Sequence, residues 1–313
     1  MNRVKISFLI TALNEEKTIG KVLDNLARLK KVEPNIEVLA AIDGSTDRTE
    51  EIMKRYRFVK ILIRGPRRGK DVSVHKLTQA AKGGILVIHD SDWIFRWNKK
   101  SIKKMIKFFK ENPDVGGYVQ SFFNRREDYL NDPAPFTVKI GFIGESVASN
   151  LIRGFARKHH EKCKRLEDLI FTPLVFIMRG GIISKKTRLN KKEIGDEMKR
   201  THEIMKKGYR IVYTDTELPY FEILYKKTSF NDLVSQRTRG FLLNSFQPKI
   251  YGWNVTKYYF LIVTHFIKNY FKLSPIEMIG LDVWILSAMI SYIKVKTGLV
   301  KDKKPWSYRV KRR

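Results

Sequence analysis

Cysteine is nearly absent from this chain. Cys163 is the only one in 313 residues, which excludes an intramolecular disulfide framework and a cysteine-built zinc centre and suits an inert thiol in a reducing compartment. Long apolar runs are missing too. The two in the tail, Tyr258 to Ile267 and Val283 to Ile293, fall well short of the roughly 20 residues that a bilayer crossing needs. Met1-Asn2-Arg3 leads into only one strand's worth of apolar residues, so no secretory leader is expected. Acids are scarce: 32 Asp and Glu stand against 62 Lys and Arg, a net charge of +30 with a pI near 10.1. Such a field attracts polyanions, whether phosphorylated substrates, anionic lipid or nucleic acid. No RNA-binding fingerprint or interleaved aromatic motif accompanies it, which argues against nucleic acid. No repeat or low-complexity tract is present, and the His159-His160 pair, in a basic stretch, is read as surface.

What the chain does contain is an alternation of strand-like and helix-like segments. Val4 to Thr11 reads as a strand, Glu15 to Leu29 as an amphipathic helix and Asn35 to Ile42 as a second strand. Asp47-Arg48-Thr49-Glu50 has the form of a capping box opening a helix to about Tyr56. Phe58 to Ile63, Asp71 to Ala81 and Ile85 to His89 continue as strand, helix and strand. This order implies an α/β, Rossmann-like, doubly wound and mostly parallel sheet, whose ligand crevice lies beyond the carboxyl ends of the strands. The polar clusters fall there: Ala12-Leu13-Asn14-Glu15-Glu16, Asp43-Gly44-Ser45-Thr46-Asp47, Arg67-Arg68-Gly69-Lys70 and Asp90-Ser91-Asp92.

These residue types share one chemistry. Asp90 and Asp92, two apart on an extended segment, present carboxylates on one side, where they can hold a divalent cation against a diphosphate. Lys70, behind Gly69 at a helix start, can meet a phosphate through its ammonium and the backbone N–H groups there. The Asp43 carboxylate can accept from a nucleoside base or ribose, with Glu15 nearby on the first loop. Each has a plainer reading: a solvated turn, one more solvated lysine, an Asx-turn that merely starts a helix. Their combination in one order carries the weight.

That order resembles the GT-A glycosyltransferases of family 2, the superfamily of dolichyl-phosphate sugar synthases and cellulose synthase-like enzymes, over roughly residues 3–125. The resemblance implies a GT-A fold and a nucleotide-diphosphate-sugar donor bound by Asn14, Glu15, Asp43, Lys70 and Asp90. It also implies Mn2+ or Mg2+ held by Asp90 and Asp92. Ile42 and His75 depart from the pattern, standing where the family often has Asp and Asn.

Beyond Lys110 the signals thin out. Ser101 to Lys110 reads as a helix with a lysine stripe, and Val115 to Phe123 as a strand. Asp168 to Arg179 is an apolar stretch leading into Gly180-Gly181, similar to the family's small-residue acceptor loop. Gly195-Asp196-Glu197 precedes a helix capped by Gly208, with Tyr209 to Tyr213 as a strand. In the family an acidic pair stands about three helical turns before such a Gly-Tyr strand, and one of its carboxylates acts as base. Glu197 takes that position, with Asp196 beside it. Inverting transfer needs such a carboxylate on the far side of the anomeric carbon from the diphosphate. The plainer alternative is an acid that stabilises a helix N-terminus. Gln236-Arg237-Thr238-Arg239-Gly240 resembles the Gln-x-x-Arg-Trp element of polymerising members. It implies Arg239 on the donor phosphate and Gln236 at the acceptor end, while Gly240 in place of Trp argues against processive polymerisation.

Residues 1–246 are accordingly read as the glycosyltransferase domain, with 1–125 as its nucleotide-sugar half and 126–246 as its acceptor half. Residues 247–313 form a basic, aromatic-rich helical extension, in which Trp253, Tyr258, Tyr259, Tyr270 and Trp284 mix with lysines and Lys301 to Arg313 adds further bases. It reads as C-terminal amphipathic helices lying peripherally on an anionic membrane surface, the cytoplasmic leaflet, with a transmembrane hairpin as the alternative. The expected function is metal-dependent, inverting sugar transfer to an acceptor at that surface, such as a polyprenyl-phosphate-linked one. Two alternatives stay open. Asp90-Ser91-Asp92 followed by Tyr118 to Arg126 also resembles the glucosyl-3-phosphoglycerate synthases, which retain configuration and take a small phosphorylated acceptor. Their histidine metal ligand is not evident, and Glu222 occupies its approximate place. The other is a non-catalytic basic nucleic-acid- or lipid-binding protein on the same scaffold, disfavoured by the intact Lys70, Asp92 and Glu197.

Overall fold

The computed structural model describes residues 5–131, 135–160, 163, 169, 174–183, 196–215, 217–224, 228–251 and 255–300, with backbone alone at Val138, Asp196, Met198, 243–251 and 255–259. In chain order the elements are β1 (Ile6–Ala12), α1 (Ile19–Val32), β2 (Ile36–Ile42), α2 (Thr49–Lys54), β3 (Val59–Ile63), α3 (Lys70–Ala80), β4 (Ile85–Asp90), β5 (Trp93–Arg96), α4 (Lys99–Glu111) and β6 (Val115–Gln120). There follow α5 (Arg126–Leu130), α6 (Phe136–His160), β7 (Ile177–Arg179), α7 (Asp196–Lys206), β8 (Arg210–Thr214), β9 (Tyr220–Ile223), α8 (Phe230–Tyr251), α9 (Val255–Tyr270) and α10 (Pro275–Lys296). They form two compact units. One comprises Met1–Gln120, Lys164–Leu166 and Thr172–Leu224, the other Ser121–Cys163, Glu167–Phe171 and Tyr225–Arg313.

The first unit is built on a seven-stranded sheet in the order β3-β2-β1-β4-β7-β6-β8. Its neighbours run parallel except at β7, which is antiparallel to β4 and to β6. β1, β2 and β4 are apolar runs buried along their length, as strands covered on both faces must be. The chain steps outward from β1 to β3 and then returns to β4 on the other side of β1. Winding therefore reverses between β1 and β4, where sheets of this kind open a crevice. On α1, Ile19, Val22, Leu23, Leu26 and Leu29 recur at helical spacing and are fully buried, each contributing about 1.5–3 kcal/mol.

The expected capping box at α2 does not form. Asp47 Oδ1 accepts from Thr49 N at 3.0 Å, while Glu50 turns away to Lys54 at 2.8 Å and Arg64 at 3.4 Å. With two cations in reach, pairing wins over reaching back to an amide. A reciprocal cap appears instead at α4. Asn98 Oδ1 accepts from Ser101 N at 2.8 Å, and Ser101 Oγ accepts from Asn98 N at 2.9 Å. The far end of α4 is closed by Arg179 on β7, whose guanidinium donates to the carbonyls of Phe109, Asn112 and Val115 at 2.6, 2.8 and 3.1 Å. Beside it, Gly180 packs so tightly on Gly83 that a Cβ would collide with that residue's carbonyl, and its N–H bonds the Gly84 carbonyl at 2.8 Å. The strand expected to reach Phe123 ends at Gln120, where the chain passes into the other unit.

The second unit is helical. Its core gathers Tyr129, Phe142, Ile143, Val147, Ala148, Ile262, Phe266 and Leu281 from α5, α6, α9 and α10. The two expected tail helices are present and longer than their apolar runs, because Ser274 and Glu277 cap α10 ahead of Val283. Trp253, Lys301 to Arg313 and the side chains of Tyr258 and Tyr259 lie outside the described residues. Glu277 is the hub of the packing. It accepts from Arg126 at 2.9 and 2.6 Å, from Tyr129 at 2.8 Å and from Ser274 N and Oγ at 2.9 and 2.7 Å. Burial alone would raise its carboxyl, but these donors outweigh that and bring it down to about 2. The surface reading of His159-His160 holds for His159 only. His160 is 4% exposed, because Arg153, Ala156 and His160 share the inward face of α6.

Candidate active site

The loops after β1, β2 and β3 and the end of β4 meet on one rim of the first unit. Asn14 adopts a left-handed φ of 56°, which asparagine tolerates better than most residues. Its Oδ1 accepts from Thr46 N at 2.8 Å, and its own N–H donates to Ser45 Oγ at 3.1 Å. Glu15 N donates to Thr49 Oγ1 at 2.7 Å, and Glu16 N to Asp47 Oδ2 at 3.1 Å. Three consecutive residues after β1 are thus stitched to the loop after β2 and to Thr49, the first residue of α2. The Glu15 side chain is buried, with Oε2 accepting from Thr18 Oγ1 at 3.0 Å.

Asp43 makes the next connection. Its buried carboxylate accepts from Arg68 N at 2.7 Å and Gly69 N at 2.9 Å. Gly44 has a φ of 84°, and a Cβ there would stand 2.7 Å from Arg67 N, so only glycine lets the two loops pass. Gly69, with a φ of 104°, is the N-cap of α3 and delivers Lys70 into its first turn. Asp43 therefore holds the loop that positions Lys70. Each carboxylate oxygen retains acceptor capacity for a nucleoside hydroxyl.

Lys70 in turn joins two acids. Its Nζ lies 2.8 Å from Asp90 Oδ1 at the end of β4 and 3.8 Å from Glu197 Oε1 in the first turn of α7. All three side chains are partly exposed, so the cluster faces solvent rather than core. Asp92, 3% exposed, sits in the turn between β4 and β5, and its carbonyl accepts from Leu224 N at 2.9 Å, just past β9. Beneath the turn lies an aromatic cluster in which Phe221 meets His89, Trp93, Phe95 and Phe176 at centroid distances of 5.0, 6.0, 5.4 and 5.7 Å.

Sequence reasoning passed over His89. Its Nδ1 lies 2.7 Å from the Asp90 carbonyl, which can only accept, so Nδ1 carries the proton. Burial pushes the imidazole down to about 4, leaving it neutral near pH 7. The available signal was one polar residue between the apolar run Ile85-Leu86-Val87-Ile88 and Asp90, still within β4.

The remaining candidates belong to other elements or have side chains outside the described residues. Asp196 opens α7, but its side chain is not among the described residues. Gln236 and Arg239 stand on α8 in the second unit, Arg239 exposed. Glu222 on β9 pairs with Arg96 on β5.

Among the described residues no three His, Cys, Asp or Glu side chains cluster to hold a metal by themselves. Asp90 and Asp92 fit Mn2+ or Mg2+ in another way. Such cations are commonly bound through one or two carboxylates, with substrate phosphates and water completing the shell.

A doubly wound sheet carrying acids and a lysine on its switch-point rim is an α/β scaffold of the kind that receives phosphorylated ligands there. Residues 7–176, more than half of the chain, match the model for glycosyl transferase family 2, and the chain belongs to that family. It is 34% identical over 131 residues to a glucosyl-3-phosphoglycerate synthase of Petrotoga mobilis, covering 39% of each chain. It is 29% identical over 129 residues to a dolichyl-phosphate beta-glucosyltransferase of Trichomonas vaginalis, covering 36% of this chain and 39% of that one. These matches span about two fifths of the relatives' length. The fold is similar to a mannosyltransferase from Pyrobaculum calidifontis solved with GDP-Man and Mn2+, at a TM-score of 0.54 and 16% identity over 98% of this chain and 85% of that one. It is also similar to glucosyl-3-phosphoglycerate synthase from Mycobacterium tuberculosis, at a TM-score of 0.50 and 16% identity over 81% of each chain. The expected family and GT-A fold hold.

Proposed function

We propose that this glycosyltransferase moves a sugar, with inversion and with a divalent cation, from a nucleoside-diphosphate donor to a polyprenyl-phosphate-linked acceptor at an anionic membrane surface, to whose cytoplasmic face the protein attaches peripherally. The observation that carries the reading is the meeting of Glu197 with Lys70 and Asp90 across three elements distant in sequence. Lys70 and the first N–H groups of α3 receive the diphosphate, which draws the ammonium away from Asp90. Glu197 takes the proton from the acceptor hydroxyl as oxygen bonds to the anomeric carbon on the face opposite the departing diphosphate. Asn14 and Asp43 keep the loops in register, and His89 fixes the backbone at Asp90. A cation at Asp90 and Asp92 would offset the charge that develops on the leaving group.

The Petrotoga mobilis relative supports a second reading, retention with a small phosphorylated acceptor. One experiment separates the two. A thermal-shift panel of nucleotide-sugars with and without manganese identifies the donor, since a ligand at 100 times its Kd stabilises by about 2.7 kcal/mol. NMR of the product formed with a polyprenyl-phosphate-linked sugar or with 3-phosphoglycerate then gives anomer and acceptor. An axial product on phosphoglycerate from an axial donor would overturn the inverting, lipid-linked reading.

A further inference from the structure

The burial pattern of α10 is inside out. The residues it turns inward are Glu277, Gly280, Leu281, Ser287 and Ser291, mostly small or polar. Gly280 meets Gly144 of α6 so closely that a Cβ on Gly144 would strike the Gly280 carbonyl. The two serine hydroxyls are spent on backbone, Ser287 on the Trp284 carbonyl at 2.7 Å and Ser291 on the Val234 carbonyl at 2.8 Å. Large apolar side chains point outward instead: Ile279, Leu286, Met289 and Ile293, of which Leu286 and Met289 are 51% and 58% exposed. α9 adds Phe260, Val263 and Ile267, at spacings of three and four, and Phe271 just past its end is 86% exposed. Water selects the opposite arrangement. Small residues at the helix contact with large apolar ones outside is the pattern of helices whose surroundings are hydrocarbon.

We infer that the outward faces of α9 and α10 are a lipid-inserting surface, sunk into the boundary between headgroups and acyl chains of an anionic bilayer. This rests on the membrane-surface reading above and adds which side chains enter. Charge complementarity selects the occupant. Lys268 and Lys272 border the α9 stripe, Lys294 and Lys296 border that of α10, all four are exposed, and the chain as a whole carries +30. A second copy of so basic a chain would bring like charges together. By length and composition Pro275–Lys296 is the described helix able to cross a bilayer. Its inner side argues against crossing. Trp284, near its middle, donates to Glu145 at 2.9 Å, and Glu145 pairs with Arg237 at 2.9 Å, an ion pair that a crossing would carry to mid-bilayer.

The test uses the full chain with vesicles of phosphatidylcholine alone or of equimolar phosphatidylcholine and phosphatidylglycerol, read by co-sedimentation. Binding to the anionic vesicles is expected, weakened by salt. Leu286→Glu with Met289→Glu, or Ile267→Glu on α9, should lower the partition coefficient about tenfold or more. An unchanged nucleotide-sugar thermal shift in these variants shows that they are folded and tests the donor site separately. If wild type binds and the variants bind equally, the assignment of the face fails while membrane attachment stands. If wild type ignores both vesicle types, attachment and face both fail, whatever the donor result. A dimer that the substitutions turn into a monomer, or attachment resistant to alkaline carbonate, would overturn the inference in favour of a second copy or a crossing helix.

Discussion

The Asp43 carboxylate accepts the Gly69 amide at 2.9 Å, tying the end of β2 to the residue that opens α3. An acid expected to touch the nucleoside is thus also the brace for the lysine expected to touch the phosphates. Asp43→Ala should therefore do two things. It leaves the Arg68 and Gly69 amides without their acceptor, at about 1.5–3 kcal/mol per charge-assisted bond, and it raises KM for the donor by loosening Lys70. Urea unfolding and donor titration measure both. Lost donor affinity with unchanged stability would make Asp43 a ligand contact and not a brace.

Asp92 is buried in the turn after β4. If it ligates the cation directly, Asp92→Asn should leave the fold intact and abolish the manganese-dependent thermal shift given by a nucleoside diphosphate. Metal-dependent turnover at the wild-type rate in this variant would remove Asp92 from the metal site.

Glu197→Gln is expected to lower kcat by about 100-fold or more while donor binding changes little, the usual contribution of a general base. Asp196→Asn is the companion variant. A large loss there with Glu197→Gln active would shift the base by one residue.

Acid should weaken the second unit through Glu277. The folded carboxyl of Glu277 lies at about 2 against an ordinary 4.5, so its contribution is fully present above about pH 4.5 and is lost as pH falls through about 2. The amount is at most about 3 kcal/mol. Urea unfolding between about pH 5 and about pH 2, followed by far-UV circular dichroism, should show this slope in wild type and a flatter one in Glu277→Gln. Equal slopes would place the acid sensitivity elsewhere.

Gly144→Ala sets two effects against each other. Alanine gains up to about 1 kcal/mol of helix propensity over glycine, but its Cβ strikes the Gly280 carbonyl, and overpacking typically costs about 1–3 kcal/mol. A net loss is expected. Stabilisation by this substitution would mean that α6 and α10 separate easily.

The parallel half of the sheet was legible because buried strands such as Ile85-Leu86-Val87-Ile88 are apolar runs that stop at polar loops, and the order of those loops carries the family. What escaped depended on distance along the chain. Asn14 reads as a donor contact in sequence, whereas its bonds to Ser45 and Thr46 exist only once the two loops have folded together. The grip of Arg126 on Glu277 spans 151 residues and leaves no local mark. Composition announces that α10 is apolar, yet only packing reveals that its serines and glycine face inward. The Asp47-to-Glu50 box failed for a related reason: a local motif cannot foresee Arg64 as a competing partner.

Arg179 gives the first unit an assembly order. The carbonyls it satisfies lie 64 to 70 residues earlier, and it sits on the strand that slots between β4 and β6. Helix α4 therefore has a beginning of its own, the Asn98–Ser101 cap, and an ending shared between Asn112, which donates from N and Nδ2 to the Phe108 carbonyl at 3.0 and 2.8 Å, and Arg179. Only the guanidinium share of that ending waits for the antiparallel strand, so Arg179→Ala should quicken amide exchange through fraying of the last turn of α4 while leaving its first turn unchanged.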